Sequence, residues 1–339
     1  MSAVGRRDAL RITAVAGLGL ALTGGIVREL VRRGALRRVR VTRPRMGTAV
    51  TVTVIHTDSS VAHAMVDSAF AEIERLERIL SRQQPGTAVH RLNRDGILPD
   101  PPVELLTVLD RARYYASISD GAFDITAGGL VELYAQSFGD TGAPPSDRAV
   151  KEARQRVAWQ AISTDGRGVV FEQPGITITV DGIAKGFVVD QTVATLVRQG
   201  AERVMIGAGG DIAATDTGPF AEGWHIGVQD PQDEGGTLGT IRLEGGAVAS
   251  SGDYMQAFTR DRRFHHIVDP RTGCSPEHTS GVTVIAPTAM DADAISTATL
   301  VLGPAAGIAL IERLTAVEGV IVTKTGEPVA SKGFGDYVI

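Results

Sequence analysis

The chain has 339 residues, of which 43% are hydrophobic and 22% charged, a composition typical of a folded globular protein. Residues 1–45 carry a net charge of +9 and residues 46–339 a net charge of −14, and an acidic folded part argues against nucleic acid as a partner. The single cysteine, Cys274, excludes an intramolecular disulfide and a zinc site built from thiolates.

The first 44 residues predict a targeting segment. Arg6 and Arg7 precede a polar residue and a short apolar run over residues 12–22, the arrangement of a twin-arginine export signal. The alternative is a retained membrane anchor, although the run is short for a full span and no cleavage pattern is clear. No cysteine lies near the run, so we expect no lipid anchor. We expect export to the outer face of the membrane or a periplasm-like space, with residues 45–339 forming one folded domain.

Behind this segment the hydrophobic period changes from two to about 3.6 residues. Residues 48–55 alternate as a strand does, and residues 59–80 carry apolar side chains at helical spacing. Residues 102–119 predict a second amphipathic helix. The polar, proline-containing segment 137–150 is the best candidate for a loop.

Beyond this loop, short strands outnumber helices. Helices are predicted over 184–199, 291–302 and 304–315. Strands are predicted over 168–171, 176–180, 203–206, 224–228, 239–243, 265–268 and 282–286. Short turns join these strands, which favours an α+β fold over a doubly wound parallel sheet. Neither an internal repeat nor a clean domain boundary is evident.

The stretch "VMIGAGGDIAATD" first suggests a dinucleotide-binding loop. Gly207 and Gly209 fit the G-x-G-x-x-G pattern, but Ile212 stands at the third glycine position and no long helix follows. We interpret the stretch as a tight turn between two strands, with Asp211 exposed.

The stretch "TVDGIAKGFVVD" joins a strand to a helix through Asp181 and Gly182. Free N–H groups at a helix start attract phosphate, and Lys185 in the first turn adds a positive charge. The alternative is that Lys185 only extends along the helix surface into water. The residues alone do not decide between the two.

The stretch "AMDADAISTATLVLG" places Asp291, Asp293 and Thr297 near a helix start. Asp293 and Thr297 are four residues apart and therefore share one face. Carboxylate and hydroxyl oxygens suit Mg²⁺. The alternative, which this motif alone favours, is helix capping by Asp291 with Thr297 simply packed.

The stretch "RFHHIVDPRTG" places His265 and His266 side by side on a predicted strand, so one of them faces inward. A histidine on a strand is usually structural. Beside an anion site and a metal it is also suited to act as a base.

Together these motifs resemble the ApbE-type flavin transferases, the FAD:protein FMN transferases. The motifs run in the order "RMGT", "LSRQQPGTAVHRLN", "DGAFDITAGGL", "VDGIAKGFVVD", "GAGGD", "WHIGVQDP", "ASSGDY", "HHIVDPRTG" and "DADAISTA", within residues 45–335. The resemblance implies an α+β, T-fold-like architecture of mixed or antiparallel sheets with flanking helices. It also implies Mg²⁺-dependent transfer of FMN from FAD to a Thr or Ser hydroxyl, with release of AMP. The implied acceptor is an exported or membrane-bound protein with an S/T-G-A-T/S-like motif.

The resemblance also assigns residues. It implies that Mg²⁺ is held by Asp293, Thr297 and the backbone carbonyl of Ala184, and that His266 is the base. It places the following residues around FAD: Met46, Ala122, Phe123, Asp124, Thr126, Asp181, Lys185, Phe187 and Ile267. One departure is Gln84, which stands where the family usually has an aromatic residue.

Two rival functions stay open at this point. The first is a Mg²⁺-dependent FAD pyrophosphatase, in which water takes the place of the acceptor hydroxyl. The second is a non-catalytic flavin carrier, against which Asp293, Thr297 and His266 argue.

The stretch Ser280-Gly281-Val282-Thr283 is one residue away from an acceptor motif. The apolar residues around it predict a buried strand, which would shield the Thr283 hydroxyl. We therefore expect Thr283 to stay unmodified.

Overall fold

A computed structural model of the chain describes residues 36–166, 168–217, 221–233 and 235–339. The paired arginines and the apolar run of the predicted targeting segment lie outside the described residues. In chain order the strands are β1 (Arg37–Arg45), β2 (Thr48–His56), β3 (Ile97–Leu98), β4 (Ile162–Asp165), β5 (Gly168–Phe171), β6 (Arg203–Ala208), β7 (Asp211–Asp216), β8 (Trp224–Gln229), β9 (Thr237–Leu243), β10 (Gly245–Gly252), β11 (Thr279–Ala286), β12 (Glu318–Thr323) and β13 (Pro328–Ala330). The helices are α1 (Ser59–Leu80), α2 (Ala88–Asp95), α3 (Val103–Ile118), α4 (Gly128–Thr141), α5 (Asp147–Arg154), α6 (Ala184–Arg198) and α7 (Ala289–Ile311).

An eight-stranded sheet in the order β1-β2-β6-β7-β10-β11-β12-β13 forms the centre of the fold. Each neighbouring pair is antiparallel. The side chains of β6 show how its faces are covered, since successive residues of a strand point to opposite sides. Val204 and Ile206 pack with the helices α1, α6 and α7, whereas Met205 packs against Trp224 and Ile241 of the β8–β9 hairpin. This arrangement confirms the predicted α+β class.

Strand β1 corrects the predicted boundary at residue 44. Strand β1 pairs with β2 along its whole length, and Val39 within β1 is buried. The folded part therefore begins before residue 45. The sequence hides the alternation of Val39 and Val41, because the arginines around them resemble a continuation of the basic flank of the predicted export signal.

Two predicted strands are wrong. Segment 176–180 is extended but forms only a single bridge, because the N–H and C=O groups of Ile178 bond to the side-chain amide of Asn93. Segment 265–268 likewise forms only a bridge, and the N–H of His265 donates to the hydroxyl of Ser275. In both segments polar side chains take the place of a neighbouring strand.

Three helices, α2, α4 and α5, were not predicted. Helix α4 ends at Thr141 and α5 begins at Asp147, so the predicted loop 137–150 shrinks to residues 142–146. Helix α5 buries only Val150, which explains why its sequence carries no apolar stripe for periodicity to detect.

Helix α7 contains the break that the sequence predicts between 302 and 304. Gly303 has a non-helical backbone (φ 78°, ψ 176°) directly before Pro304. Among the described residues, α7 is the helix long and apolar enough to span a membrane by composition. Its most apolar window is 61% buried within the fold, and it packs against β10, β11 and α6, as a core helix does.

Candidate active site

The site is built around the turn that leads into α6. The N–H groups of Ile183 and Ala184 donate to the Val180 carbonyl at 3.1 and 2.8 Å, which closes the turn. Gly182 is needed here because a Cβ at this position would lie 3.0 Å from Oγ1 of Thr297. The glycine therefore allows Thr297 of α7 to approach the turn closely.

The starts of α6 and α7 are held together by a close approach of their backbones and by two side-chain carboxylates. A Cβ on Gly186 would lie 2.1 Å from the carbonyl oxygen of Ala289, so no larger residue fits at this crossing. The Asp190 carboxylate accepts the N–H groups of Ala289 and Met290 at 2.8 and 2.9 Å. The N–H of Gly186 in turn donates to Oδ2 of Asp293 at 3.2 Å. These contacts fix Asp293 at the start of α6.

Lys185 lies between two buried carboxylates. Its Nζ is 2.8 Å from Oδ2 of Asp211 and 3.3 Å from Oδ2 of Asp293, and it donates to the Asp181 carbonyl at 3.1 Å. The Asp211 and Asp293 side chains are 2% and 3% exposed. The expectation that Asp211 is exposed is therefore wrong. The reading of Lys185 as a side chain extended into water is also wrong.

The cluster carries more negative charge than its one lysine balances. Burial and the charge of Asp211 raise the pKa of Asp293 well above its usual range, against the opposing effect of Lys185. Burial lowers the pKa of Lys185, but the two carboxylates outweigh it and the net direction is upward. The lysine is thus charged, and when both carboxyls are ionised the pocket has a formal deficit of one positive charge.

The oxygen atoms gathered at this deficit fit a hard divalent cation. The predicted ligands are brought together, because Asp293 bonds to Gly186 and Thr297 contacts Gly182, the two residues that flank the Ala184 region. In the described part of the chain no group of three or more His, Cys, Asp or Glu side chains is arranged to hold a metal. A cation here would depend on hydroxyl and peptide oxygens beside one carboxylate, a donor set that suits Mg²⁺.

The two histidines occupy different surroundings. The ring of His266 is within electrostatic reach of Lys185 and Asp181, and its buried Nδ1 has no hydrogen-bond partner. Burial, reinforced by Lys185, lowers the pKa of His266 to about 4, so the ring is neutral at pH 7. His265 is fully buried, and its Nε2 lies 3.4 Å from the Pro276 carbonyl. Of the two histidines, His266 is therefore the one whose ring interacts electrostatically with Lys185 and Asp181.

The segment from Ala122 to Thr126 forms a second wall. Oδ1 of Asp124 accepts the N–H and the hydroxyl of Thr126 at 2.8 and 2.7 Å. The Thr126 oxygen accepts the N–H of Ala158 at 2.8 Å. These side chains hold the loop in shape, and burial raises the pKa of Asp124.

A cavity of about 500 Å³ opens beside this wall, within the usual size range for ligand pockets. Its charged and aromatic lining consists of Asp120, Asp124, Arg154, Trp159 and Arg271. It does not include Lys185 or Asp293, but Phe123, next to Asp124, lies 3.5 Å from the position of a Gly182 Cβ. The segment that carries Phe123 and Asp124 therefore borders the cavity through Asp124 and the turn before α6 through Phe123.

The other residues predicted to surround FAD differ in how far their side chains are exposed to solvent. The side chains of Ala122, Phe123, Phe187 and Ile267 are all at least 92% buried in the hydrophobic core and shape the wall from behind. Asp181 is exposed, and its carboxylate is held by Nε of Arg82 at 2.9 Å. Met46 stands at the β1–β2 turn with φ 51°, and its N–H donates to Glu77 at 3.0 Å.

Sequence reasoning missed three contributors to the site. Asp211 is the acceptor closest to Lys185, Ser251 lies 3.3 Å from Oγ1 of Thr297, and Arg82 holds the Asp181 carboxylate. One available signal was that Asp211 opens a strand that is otherwise largely apolar, directly after two glycines. The contact between Arg82 and Asp181 spans 99 residues and leaves no local pattern.

Comparison with solved structures defines the class of protein. The ApbE protein of Thermotoga maritima superposes with a TM-score of 0.79 at 27% identity, covering 89% of this chain and all of that chain. The flavin transferase ApbE of Vibrio cholerae superposes with a TM-score of 0.78 at 25% identity over the same shares. The chain has the fold of the flavin transferases, as predicted.

The sequence comparisons give the family. The ApbE family model matches residues 46–321. A Treponema pallidum protein named FAD:protein FMN transferase is 30% identical over 326 residues, covering 90% of this chain and 86% of that protein. An Escherichia coli protein of the same name is 26% identical over 299 residues, covering 83% of each. The chain belongs to the ApbE family and is an enzyme.

Proposed function

We propose that this enzyme is a FAD:protein FMN transferase, which moves the FMN half of FAD onto a Thr or Ser hydroxyl of an acceptor protein and releases AMP. Its curated relatives carry that name. The observation that carries the proposal is the convergence of three groups at the start of α6. These are the ammonium of Lys185, the buried carboxylate of Asp293 and the neutral imidazole of His266.

Asp293, Thr297 and the carbonyl of Ala184 are the residues that would hold Mg²⁺. Once bound, the ion would neutralise negative charge on the diphosphate of FAD, the main requirement of phosphoryl transfer. The excess of negative charge around Asp293 and the wholly oxygen donor set support this assignment.

The remaining steps are assigned to the chain itself. The N–H groups of Ala184 and Gly186 already donate to the Val180 carbonyl and to Asp293. The positive charge of the Lys185 ammonium is therefore the group at the start of α6 that stabilises the diphosphate. The acceptor oxygen forms a bond to the phosphorus of the FMN half while the phosphorus–oxygen bond to AMP breaks. The neutral His266 ring takes the hydroxyl proton, which contributes about 10²–10⁴-fold in typical enzymes.

The cavity bounded by Asp124, Trp159 and Arg271 is where we place part of the FAD molecule. The Phe123–Asp124 segment, which borders both the cavity and the turn before α6, supports this placement, since FAD must extend from a diphosphate site to a pocket for a ring system. The ring of Trp159 offers a flat surface there, which is relevant because Gln84 replaces the usual aromatic residue of the family. Gln84 itself is exposed.

One experiment separates transferase, pyrophosphatase and carrier. The enzyme is incubated with FAD and Mg²⁺ alone, and then with an acceptor domain that carries an S/T-G-A-T/S-like motif. A transferase releases AMP in step with covalent flavin on the acceptor. AMP and free FMN without an acceptor would indicate a pyrophosphatase, and tight FAD binding without AMP a carrier.

We also propose that the acceptor is an exported or membrane-bound protein and that this enzyme meets it outside the cytoplasm. Arg6, Arg7 and the apolar run behind them support export by the twin-arginine route.

A further inference from the structure

The proposed reaction leaves one member of the carboxylate cluster without a role. Asp211, at the start of β7, is 2% exposed and makes the shortest contact with Lys185, at 2.8 Å. Both oxygens of Asp293 lie farther away, at 3.3 Å from the same Nζ. A fully buried carboxylate is costly unless it is paired, so Asp211 must be retained by its interaction with Lys185.

The Lys185 ammonium also contacts the Asp293 carboxylate, which is the proposed ligand of the divalent cation. Nζ of Lys185 lies at equal distance from Oδ1 and Oδ2 of Asp293 and so faces its outer edge. Two positive charges at one buried carboxylate repel each other strongly. A divalent cation at Asp293 therefore requires the ammonium to withdraw.

Two other groups give the ammonium a place to withdraw to. The Asp211 carboxylate and the Asp181 carbonyl, at 2.8 and 3.1 Å, both contact Nζ independently of Asp293. A small movement toward them keeps the lysine paired, since Asp211 is held at the start of β7 by its pairing with Ala208 of β6.

We propose that Lys185 is a resident counter-ion that competes with the divalent cation for Asp293, and that Asp211 is the positioning residue that retains the ammonium when the cation binds. This inference rests on the proposed Mg²⁺ site. It assigns opposite effects to the two residues. Lys185 weakens cation binding, whereas Asp211 strengthens it by giving the ammonium an alternative partner.

A purely structural role would give a different result. If Lys185 and Asp211 only hold α6 against β7, then loss of either one loosens the site and weakens cation binding in the same direction. The sign of the change therefore distinguishes competition from support.

The test is Mn²⁺ binding to the whole purified chain, measured by electron paramagnetic resonance without FAD. Lys185→Met should bind Mn²⁺ more tightly than the parent and Asp211→Asn more weakly, each by roughly 5- to 150-fold, the usual range of coupling between sites. Lys332→Met and Asp110→Asn are the matched controls, because both residues form exposed ion pairs elsewhere. They should leave Mn²⁺ binding unchanged.

Folding of the variants is checked by circular dichroism and thermal unfolding. If Lys185→Met does not fold, Lys185→Arg replaces it. Its planar, bidentate cation should grip Asp293 more firmly and weaken Mn²⁺ binding. Mn²⁺ should also raise the melting temperature of Lys185→Met more than that of the parent, because binding to the folded state stabilises it.

Weaker or unchanged Mn²⁺ binding in Lys185→Met would overturn the proposal, as would parent-like binding in Asp211→Asn. If Lys185→Arg is used instead, tighter or unchanged Mn²⁺ binding in that variant would likewise overturn the proposal. A parent enzyme that fails to bind Mn²⁺ would overturn the proposed metal site itself. If the parent binds Mn²⁺ and both variants bind it equally well, only the proposed competition between Lys185 and the cation is overturned.

Discussion

Two neighbouring histidines provide a sharp comparison between single residues. His266 is within electrostatic reach of Lys185 and Asp181, whereas the ring of His265 contacts the Pro276 carbonyl. We expect His266→Ala to lower FMN transfer by about 10²–10⁴-fold at saturating FAD, the usual contribution of a general base. His265→Ala should stay within a few-fold of the parent.

The comparison is made at saturating and at limiting FAD. A His266 that only packs would affect FAD binding and thermal stability together, with little change in turnover at saturation. Equal losses in the two histidine variants would contradict the assignment of a base at this position.

The Asp293 side chain provides a second residue-level prediction. Asp293→Ala should abolish Mg²⁺-dependent turnover while the protein still folds, because Lys185 and Asp211 remain paired with each other. Turnover is measured at limiting Mg²⁺, with Asp110→Ala as an exposed control. Full activity of Asp293→Ala under these conditions would rule out the metal assignment.

His265 also predicts a pH dependence of stability. Burial lowers its pKa to about 4, below the value of about 6.5 in an unfolded chain. The unfolded state therefore binds more protons between these values, and the contribution of His265 is complete above pH 6.5 and is lost as the pH falls toward 4. At pH 5 the loss is about 2 kcal/mol.

The measurement is the free energy of unfolding in urea at pH 7 and pH 5, for the parent and for His265→Gln. The difference between the two proteins cancels the opposite effect of buried carboxylates such as Asp190, whose pKa burial raises to about 6. The parent should lose more stability than the variant on acidification. Equal losses would show that His265 is not buried in its neutral form.

Among the elements, the crossing of α6 and α7 holds the site together. Gly186→Ala would place a Cβ 2.1 Å from the Ala289 carbonyl oxygen, so the helices must separate, at a cost of about 1–3 kcal/mol. Gly129 in α4 has open space around its own Cβ position. Gly129→Ala should therefore be neutral or stabilising by up to about 1 kcal/mol. Thermal unfolding of both variants tests this, and equal stability would contradict the close crossing.

The acceptor-like stretch 280–283 lies within strand β11. Its residues are buried on both faces, and the hydroxyl of Thr283, itself 6% exposed, lies 2.9 Å from Oγ of Ser250. We expect Thr283 to stay unmodified after incubation with FAD and Mg²⁺. A flavin-bearing peptide that covers residues 280–286 would contradict this.

The sequence could predict those elements whose own pattern is strong. Helix α1 and strand β2 have clear periods of 3.6 and two residues and form as expected. Segment 265–268 has a strand-like composition but no strand beside it, since its backbone is satisfied by Ser275 and Gln256. Local composition does not contain that information.

The same distinction applies to the site. Asp293 and Thr297 could be found because they share one helix face. Asp211 shows only a weak signal, a charged residue at the start of a largely apolar strand, because its role exists only where the β6–β7 turn meets α6, more than twenty residues away along the chain. Burial of a charge depends on tertiary contacts, whereas a turn after two glycines normally indicates exposure.

For the whole molecule, the proposal of export rests on the paired arginines Arg6 and Arg7. Replacing Arg6 and Arg7 together by lysine should trap the protein in the cytoplasm, because twin-arginine export requires the pair. Fractionation of cells followed by immunoblotting measures this, with Arg37→Lys in β1 as a control outside the signal. Unchanged localisation of the double variant would point to another route or to a simple anchor.

The central claim, covalent transfer of FMN, is tested most directly by mass spectrometry of an acceptor protein with an S/T-G-A-T/S-like motif, co-expressed with this enzyme in its natural compartment. We predict an addition of the mass of FMN on the Thr or Ser of that motif with the parent enzyme, and none with Asp293→Ala. An unmodified acceptor beside a folded parent enzyme that consumes FAD would contradict the claim.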